Sequence, residues 1–412
     1  MTLQQIGEKA KNASKKIALT SSEDKNRALL AIAGEIAANA DKIIESNKRD
    51  TDNAKANGIS ASLLDRLTLD TKRINDIAEA VKKVSDLDDP IGKLVRGGVN
   101  NGLDIRAIRV PLGVIAMIYE ARPNVTVDAA VLAFKAGNAV ILRGGKEAIE
   151  SNITLTEIMR KALEKCGLDK DIIQIMKDTS RESVAELMKL REYVDVLIPR
   201  GGAGLIKSAV ENSTVPVIET GTGNCHVYID DGADINMGAE IIFNAKCDRP
   251  SVCNAAETLL VHKNAAKEFL PAAYEKLKQK NVEIRGCVRT QELIKDAMPA
   301  SEDDYYKEFG DYILAVKIVE NIDSAIEHIN KYSTKHSEAI VTKDYANSRK
   351  FINEVDAAAV YVNASTRFTD GGVFGLGAEI GISTQKLHSR GPMGLEAMTT
   401  VKYQILGDGN IR

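Results

Sequence analysis

The chain of 412 residues carries 55 basic and 58 acidic side chains, a formal net charge of −3. Charges so evenly balanced and interspersed argue against a dedicated nucleic-acid surface or an anionic membrane partner and favour small-molecule chemistry. The length exceeds one comfortable core and predicts two packed domains.

Residues 2 to about 88 read as helices, with a capping box Thr20-Ser21-Ser22-Glu23 opening a long one and Gly58 interrupting a later one. The first of these is amphipathic and polar, without the apolar core of a secretion signal, so neither secretion nor membrane insertion is expected. Arg96-Gly97-Gly98 and Asn100-Asn101-Gly102 lead into Leu103–Val110, whose apolar and polar residues alternate as in a half-exposed strand, one arm of a flap. A regular alternation follows: strand 113–119, helix 124–136, strand 139–143, helix 150–166, strand 172–176, helix 181–190, strand 194–198, helix 203–210, strand 215–218. A second runs from strand 226–229 through helix 235–247, strand 257–262, helix 264–280, strand 313–319, helix 323–331, strand 338–341 and helix 344–354 to strand 357–362. Short apolar runs alternating with longer helices predict parallel sheets covered on both faces, an α/β fold of two doubly wound domains whose ligands gather at the carboxyl ends of the strands. The tail ends in a strand-like Thr399–Leu406, suited to pair with the 103–110 arm or with another subunit.

Asp248-Arg249-Pro250-Ser251-Val252-Cys253-Asn254 sets one thiol on a Pro-broken turn between a helix and a strand. A thiol acts as a nucleophile in its thiolate form, which Arg249 and the turn amides would favour; the competing reading is an inert buried cysteine. The five cysteines, odd in number and without a CxxC pair, predict a reduced cytoplasmic protein, and five histidines without ligand spacing predict no metal site. Two turns, Arg143-Gly144-Gly145-Lys146 and Arg200-Gly201-Gly202-Ala203-Gly204, follow sheet strands and combine bare backbone N–H groups, a cation and a helix start, a combination that suits a phosphate or pyrophosphate. The Gly375–Gly381 stretch looks like a dinucleotide fingerprint, but its third glycine is one residue late and no strand of a βαβ unit precedes it. No Walker-type phosphate loop is present, so ATP is not an expected substrate. Asn124 reads as a helix N-cap or as an oxyanion donor. Glu219, in Glu219-Thr220-Gly221-Thr222-Gly223-Asn224, is either a solvated loop carboxylate or one that faces a cleft. The polar loop Tyr361–Asp370 suits substrate contacts, with Arg367 a candidate for an anionic group.

These residues carry a resemblance. Tyr119–Thr126, Leu142–Ala148, Pro199–Gly202, Glu219–His226, Cys253–His262, the Val319–Ile340 segment with His328, Tyr332 and His336, Val362–Asp370, Phe374–Leu387 and Gly391–Glu396 resemble, in order, the γ-glutamyl phosphate reductases, aldehyde-dehydrogenase-like enzymes of proline biosynthesis. The resemblance implies reduction of L-glutamyl 5-phosphate by NADPH to glutamate 5-semialdehyde, with Cys253 as the nucleophile that forms a thioester and Asn124 as an oxyanion donor. It implies an aldehyde-dehydrogenase-like fold with a cofactor-binding domain of residues 1–96, 111–224 and 368–390, a catalytic domain of 225–367, and an oligomerisation flap of 97–110 and 391–412. Glu219 aligns with a general base of related dehydrogenases; since hydrolysis would waste the activated substrate, positioning of cofactor or thiol is the expected role. Arg143, Gly144, Gly145, Lys146, Gly201, Gly202, Gly221 and Glu308 are the implied cofactor contacts, Arg143 and Lys146 for a 2′-phosphate and Glu308 for a ribose. Arg122, Arg249, Asn363, Ser365, Thr366 and Arg367 are the implied substrate contacts, with the choice of arginine for phosphate or α-carboxylate open. A homodimer or homotetramer is implied, with transient contact to glutamate 5-kinase as a further expectation.

Overall fold

A computed structural model of the chain describes every residue but Ala121, which falls within the 119–126 motif, and the side chains of all the others but Ala61 and Ser62. It divides into two units, residues 1–220, 375–381 and 393–412, and residues 221–374 and 382–392.

The first unit opens with helices Leu3–Ile17, Ser22–Ala38, Ala40–Ala56, Ala61–Leu67 and Thr71–Asp86. A capping box is present at Thr2 and Gln5. The one expected at Thr20 is absent, because the Thr20 hydroxyl donates back to the Lys16 carbonyl and Ser21 takes over as N-cap, accepting the Asp24 N–H at 3.1 Å. Gly58 ends a helix rather than interrupting one; at φ +69° it takes the left-handed conformation that stops the Ala40–Ala56 helix.

Four parallel strands follow in the order Ile173–Ile175, Ala139–Arg143, Val114–Tyr119, Val196–Arg200. Val114–Tyr119 is buried throughout, as expected of a strand with helices on both faces. The expected strand 215–218 forms only a single bridge, Leu197 to Val217. Pro216 has no N–H to extend a ladder, although its carbonyl accepts the Leu197 N–H at 2.8 Å. The flap is a three-stranded antiparallel sheet in which Leu103–Pro111 pairs with both Leu94–Asn100 and Thr399–Leu406. Its hairpin turns on Asn101 and Gly102, both at positive φ. Tyr403, Ile405 and Leu406 are each more than half exposed on it.

In the second unit seven parallel strands run in the order Met298–Pro299, Glu283–Gly286, Ile313–Val319, Ala256–His262, Cys225–Ile229, Ser337–Val341, Ala359–Val362. The first two were not expected; both are short, and Glu283-Ile284-Arg285-Gly286 alternates charge with apolar too briefly to register as a pattern. The expected domain boundaries differ from the observed ones over residues 221–224, 368–374 and 382–392, which pack with the second unit. Thr369 is held there by a hydrogen bond from Asn254 to its carbonyl and by hydrogen bonds of its hydroxyl with those of Ser337 and Tyr361. Residues 382–392 are held by the short ladder of Ile382–Ser383 with Gly391–Pro392 and by ion pairs of Lys386 and Arg390 with Asp356. Among the described residues no helix is long and apolar enough to cross a membrane.

Candidate active site

The carboxyl edge of the first unit's sheet gathers three of the singled-out segments. Ile118 lies opposite Arg143 and Tyr119 opposite Arg200, so the chain leaving these adjacent strands brings Glu120, residues 122–124, 143–146 and 200–204 together. Helix Pro123–Lys135 starts with Pro123 at its first position and Arg122 as its cap residue. Asn124 is therefore inside the first turn and not the N-cap, and its Nδ2 donates to Asp128 Oδ2 at 3.0 Å. Burial pushes the Asp128 carboxyl up, opposed by that hydrogen bond and by Arg200. The Arg122 N–H donates to the Glu120 carbonyl.

Arg143 NH2 donates to the Thr179 and Ser180 carbonyls at 2.6 and 3.0 Å, its buried Nε has no partner among the described residues, and Lys146 is exposed. Gly144 leaves no room for a side chain, since a Cβ would lie 2.2 Å from Asn152 Nδ2. That buried Nδ2 has no hydrogen-bond partner among the described residues. Gly145 caps a short 3-10 helix without a side-chain bond. Helix Ala203–Asn212 begins at Gly202, again without a side-chain cap, and space is open around Gly202 and Gly204. Glu120 crowds Gly201 and accepts the Gly202 N–H at 3.2 Å. Bare amides, an orphan amide donor and an exposed cation fit the diphosphate of a dinucleotide. Glu219 is half-buried near the end of the same unit.

In the second unit Cys253 lies at the amino edge of the parallel sheet, on the turn before Ala256–His262. Its neighbours fix that turn. Gly223 packs directly on it: a Cβ there would lie 1.5 Å from the Cys253 carbonyl oxygen. Cys225 Sγ donates to the same carbonyl at 3.2 Å. Burial pushes the Cys225 thiol well up, so it stays protonated and able to donate. Asn254 donates to the carbonyls of Arg367 and Thr369, and its own carbonyl accepts the Thr366 hydroxyl at 2.7 Å. Arg367 spans the turn, with Nε and NH2 on Asp248 at 3.1 and 3.0 Å and NH1 on Asn254 Oδ1. Arg249 is exposed on the turn.

The expected substrate residues thus divide. Thr366 and Arg367 brace the Cys253 turn, and Ser365 caps their 3-10 helix by accepting the Arg367 N–H. Asn363 belongs to the opposite edge of the sheet, where its amide exchanges two 2.9 Å hydrogen bonds with Thr342 beyond the carboxyl end of Ser337–Val341. A five-residue strand separates the two edges by about 16 Å. Glu308 Oε1 accepts the Gly223 N–H at 3.0 Å, and Gly221 packs against Thr384 while donating its N–H to the Ile382 carbonyl.

Several contributors went unrecognised in the sequence. Cys225 and Gly223 read as parts of a strand and a loop. Lys246 and Glu257 form an ion pair at 2.6 Å with both side chains fully buried. Burial pushes Glu257 up and Lys246 down, each partly offset by the other. A lone charge inside each of two apolar segments was the available signal. No group of His, Cys, Asp and Glu suited to a metal occurs among the described residues.

Gly223→Ala is expected to displace the Cys253 turn and lower turnover by about 10²-fold or more, measured by steady-state kinetics with far-ultraviolet circular dichroism as the folding control; full activity in a folded variant would contradict the assigned contact.

The aldehyde dehydrogenase family model matches residues 2–286. The γ-glutamyl phosphate reductase of Clostridium perfringens is 60% identical over 407 residues, covering 98% of each chain, and that of Carboxydothermus hydrogenoformans is 59% identical over 410 residues, covering 99% of this chain and 98% of the other. The crystal structure of the Thermotoga maritima γ-glutamyl phosphate reductase superposes with a TM-score of 0.98 at 48% identity, covering 100% of this chain and 99% of that one. An acetylating aldehyde dehydrogenase from Geobacillus thermoglucosidasius shares the fold at 19% identity, with a TM-score of 0.71 and coverage of 99% and 97%. The chain belongs to the aldehyde dehydrogenase family, in its γ-glutamyl phosphate reductase branch.

Proposed function

We propose that this protein reduces L-glutamyl 5-phosphate to L-glutamate 5-semialdehyde with NADPH, releasing phosphate, through a thioester on Cys253. The observation that carries the reading is the placement of Cys253: one half-exposed thiol on a turn whose backbone is braced on several sides, in a chain about 60% identical to γ-glutamyl phosphate reductases.

The Cys253 thiolate attacks the acyl carbon and phosphate leaves with the bonding pair, so the substrate arrives already activated and no ATP site is required. Charge develops on the carbonyl oxygen in this step and again when the thioester is reduced. The Cys253 backbone N–H and the Asn124 amide are the proposed donors to that oxygen, a contribution of about 3 kcal/mol per donor. Asp128, neutral or charged, accepts from Asn124 Nδ2 and sets its rotamer in the first unit. The nicotinamide, when bound, supplies hydride to the thioester carbonyl. The backbone amides at Gly144, Gly145 and Gly201, with that of Gly202 once it leaves Glu120, would hold the diphosphate, and exposed Lys146 with Arg143 beside it would favour a 2′-phosphate. Glu219 is proposed to position thiol or cofactor rather than to activate water. Arg122, Arg249 and Arg367 stand as candidates for the anionic ends of the substrate, Arg367 also binding Asp248 and Asn254.

The flap is proposed to join copies of the chain into a homodimer or homotetramer, since Tyr403, Ile405 and Leu406 leave apolar surface exposed on a sheet with an unpaired edge. Sedimentation velocity is expected to show an assembly that Tyr403→Lys with Ile405→Lys reduces to monomer; a monomeric wild type would refute the flap's role.

The catalytic reading is tested in reverse. Protein, pyrroline-5-carboxylate and NADP⁺ are mixed with and without phosphate, and nicotinamide absorbance is followed for wild type and Cys253→Ala. Phosphate-dependent reduction of NADP⁺ that vanishes in the variant is expected. No signal with phosphate would exclude the substrate, and a signal indifferent to phosphate would mean a hydrolytic aldehyde dehydrogenase.

A further inference from the structure

The second unit contains a connected set of contacts that begins far from solvent and ends at the nucleophile's backbone. Lys246 lies near the end of helix Ile235–Cys247, and Glu257 lies within strand Ala256–His262; their side chains are both fully buried and meet at 2.6 Å. The second Glu257 oxygen accepts the Gly310 N–H at 3.1 Å. Two residues back, Glu308 accepts the Gly223 N–H at 3.0 Å, and Gly223 is pressed on the Cys253 carbonyl. The groups acting on this pair are Glu308 on Glu257, and Cys247 and Asp311 on Lys246.

We propose that the Lys246–Glu257 pair is a buried strut that fixes the 308–310 loop through the Gly310 N–H, so that Glu308 holds Gly223 and, through it, the Cys253 turn in attack geometry. Glu257 and Glu308 are then positioning residues. The proposal rests on the reading of Cys253 as nucleophile. Apolar replacements of buried ion pairs are often neutral or stabilising, so the effect of replacing this pair is expected in geometry more than in stability. What an apolar pair would lose is an acceptor for Gly310. Lys246 keeps the Glu257 carboxylate from being buried alone, and so keeps that acceptor in place.

Two double variants separate acceptor from charge. Glu257→Gln with Lys246→Met removes both charges but keeps a carbonyl oxygen for Gly310; Glu257→Leu with Lys246→Met removes the acceptor as well. Each is measured for melting temperature, for kcat and KM in the phosphate-dependent reverse reaction, and for the pH dependence of Cys253 alkylation by iodoacetamide, followed on the Cys253 peptide by mass spectrometry. The Leu/Met variant is expected to melt like wild type, to lose about 10- to 100-fold in kcat with KM little changed, and to show a displaced alkylation profile. The Gln/Met variant is expected to recover to within about threefold of wild type. A Leu/Met variant with wild-type kcat and alkylation profile would overturn the strut, as would equal losses in both variants that track a fall in melting temperature. Absence of Cys253-dependent turnover in the wild type would instead reject the nucleophile reading.

Discussion

One backbone-to-backbone contact governs the second unit: Gly223 against the carbonyl of Cys253, with no space for even a methyl group between them. A reactive thiol must be held to within a fraction of an ångström, and a loop cannot do this with side chains that swing. Here the turn is gripped through its peptide groups. The Cys225 thiol takes the carbonyl of Cys253, the Thr366 hydroxyl takes that of Asn254, and Arg367 ties Asp248 to Asn254 across the turn. The backbone on both sides of the Cys253 side chain is thereby committed to structure.

The same economy runs through the surrounding polar groups. The Asn224 side-chain amide donates to the carbonyls of Tyr305 and Tyr332, and its backbone N–H donates to the Thr334 hydroxyl. His226 bonds the fully buried Glu338 at 3.1 Å, and burial lowers His336 to about 4, so that it stays neutral beside Ser337. These residues crowd the amino edge of the sheet around the segment 221–226, where the Asn224 Oδ1, His226 Nε2, His336 Nε2 and Glu338 Oε1 atoms stay buried without a partner among the described residues. In the first unit the turns after adjacent strands converge at the carboxyl edge, beside the starts of the following helices.

Much of this was legible from periodicity. Helix 235–247 and strands 139–143 and 313–319 have the expected bounds because their apolar runs are long and cleanly broken. Strand 215–218 failed on Pro216, whose missing N–H outweighs the apolar pattern around it. The turn bearing Cys253 stood out for its chemistry, but the reasons it is rigid did not, since Gly223, Cys225, Thr366 and Arg367 are brought to it only by the fold. Asn363 shows the converse. It shares a polar loop with Arg367, yet the return of the chain from one sheet edge to the other places their side chains at opposite ends of the strands. Charges buried within apolar segments, Lys246 and Glu257, were the one local clue to the strut and are meaningful only as a pair.

The central claim is a covalent one, that the acyl group passes through Cys253. Protein incubated with pyrroline-5-carboxylate and NADP⁺ in the absence of phosphate, quenched in acid and digested, tests it by mass spectrometry of the cysteine peptides. A glutamyl adduct on the peptide bearing Cys253, discharged when phosphate is added before the quench, is the predicted result. An adduct on Cys166 or Cys287 instead, or nicotinamide reduction proceeding with every cysteine unmodified throughout, would contradict it.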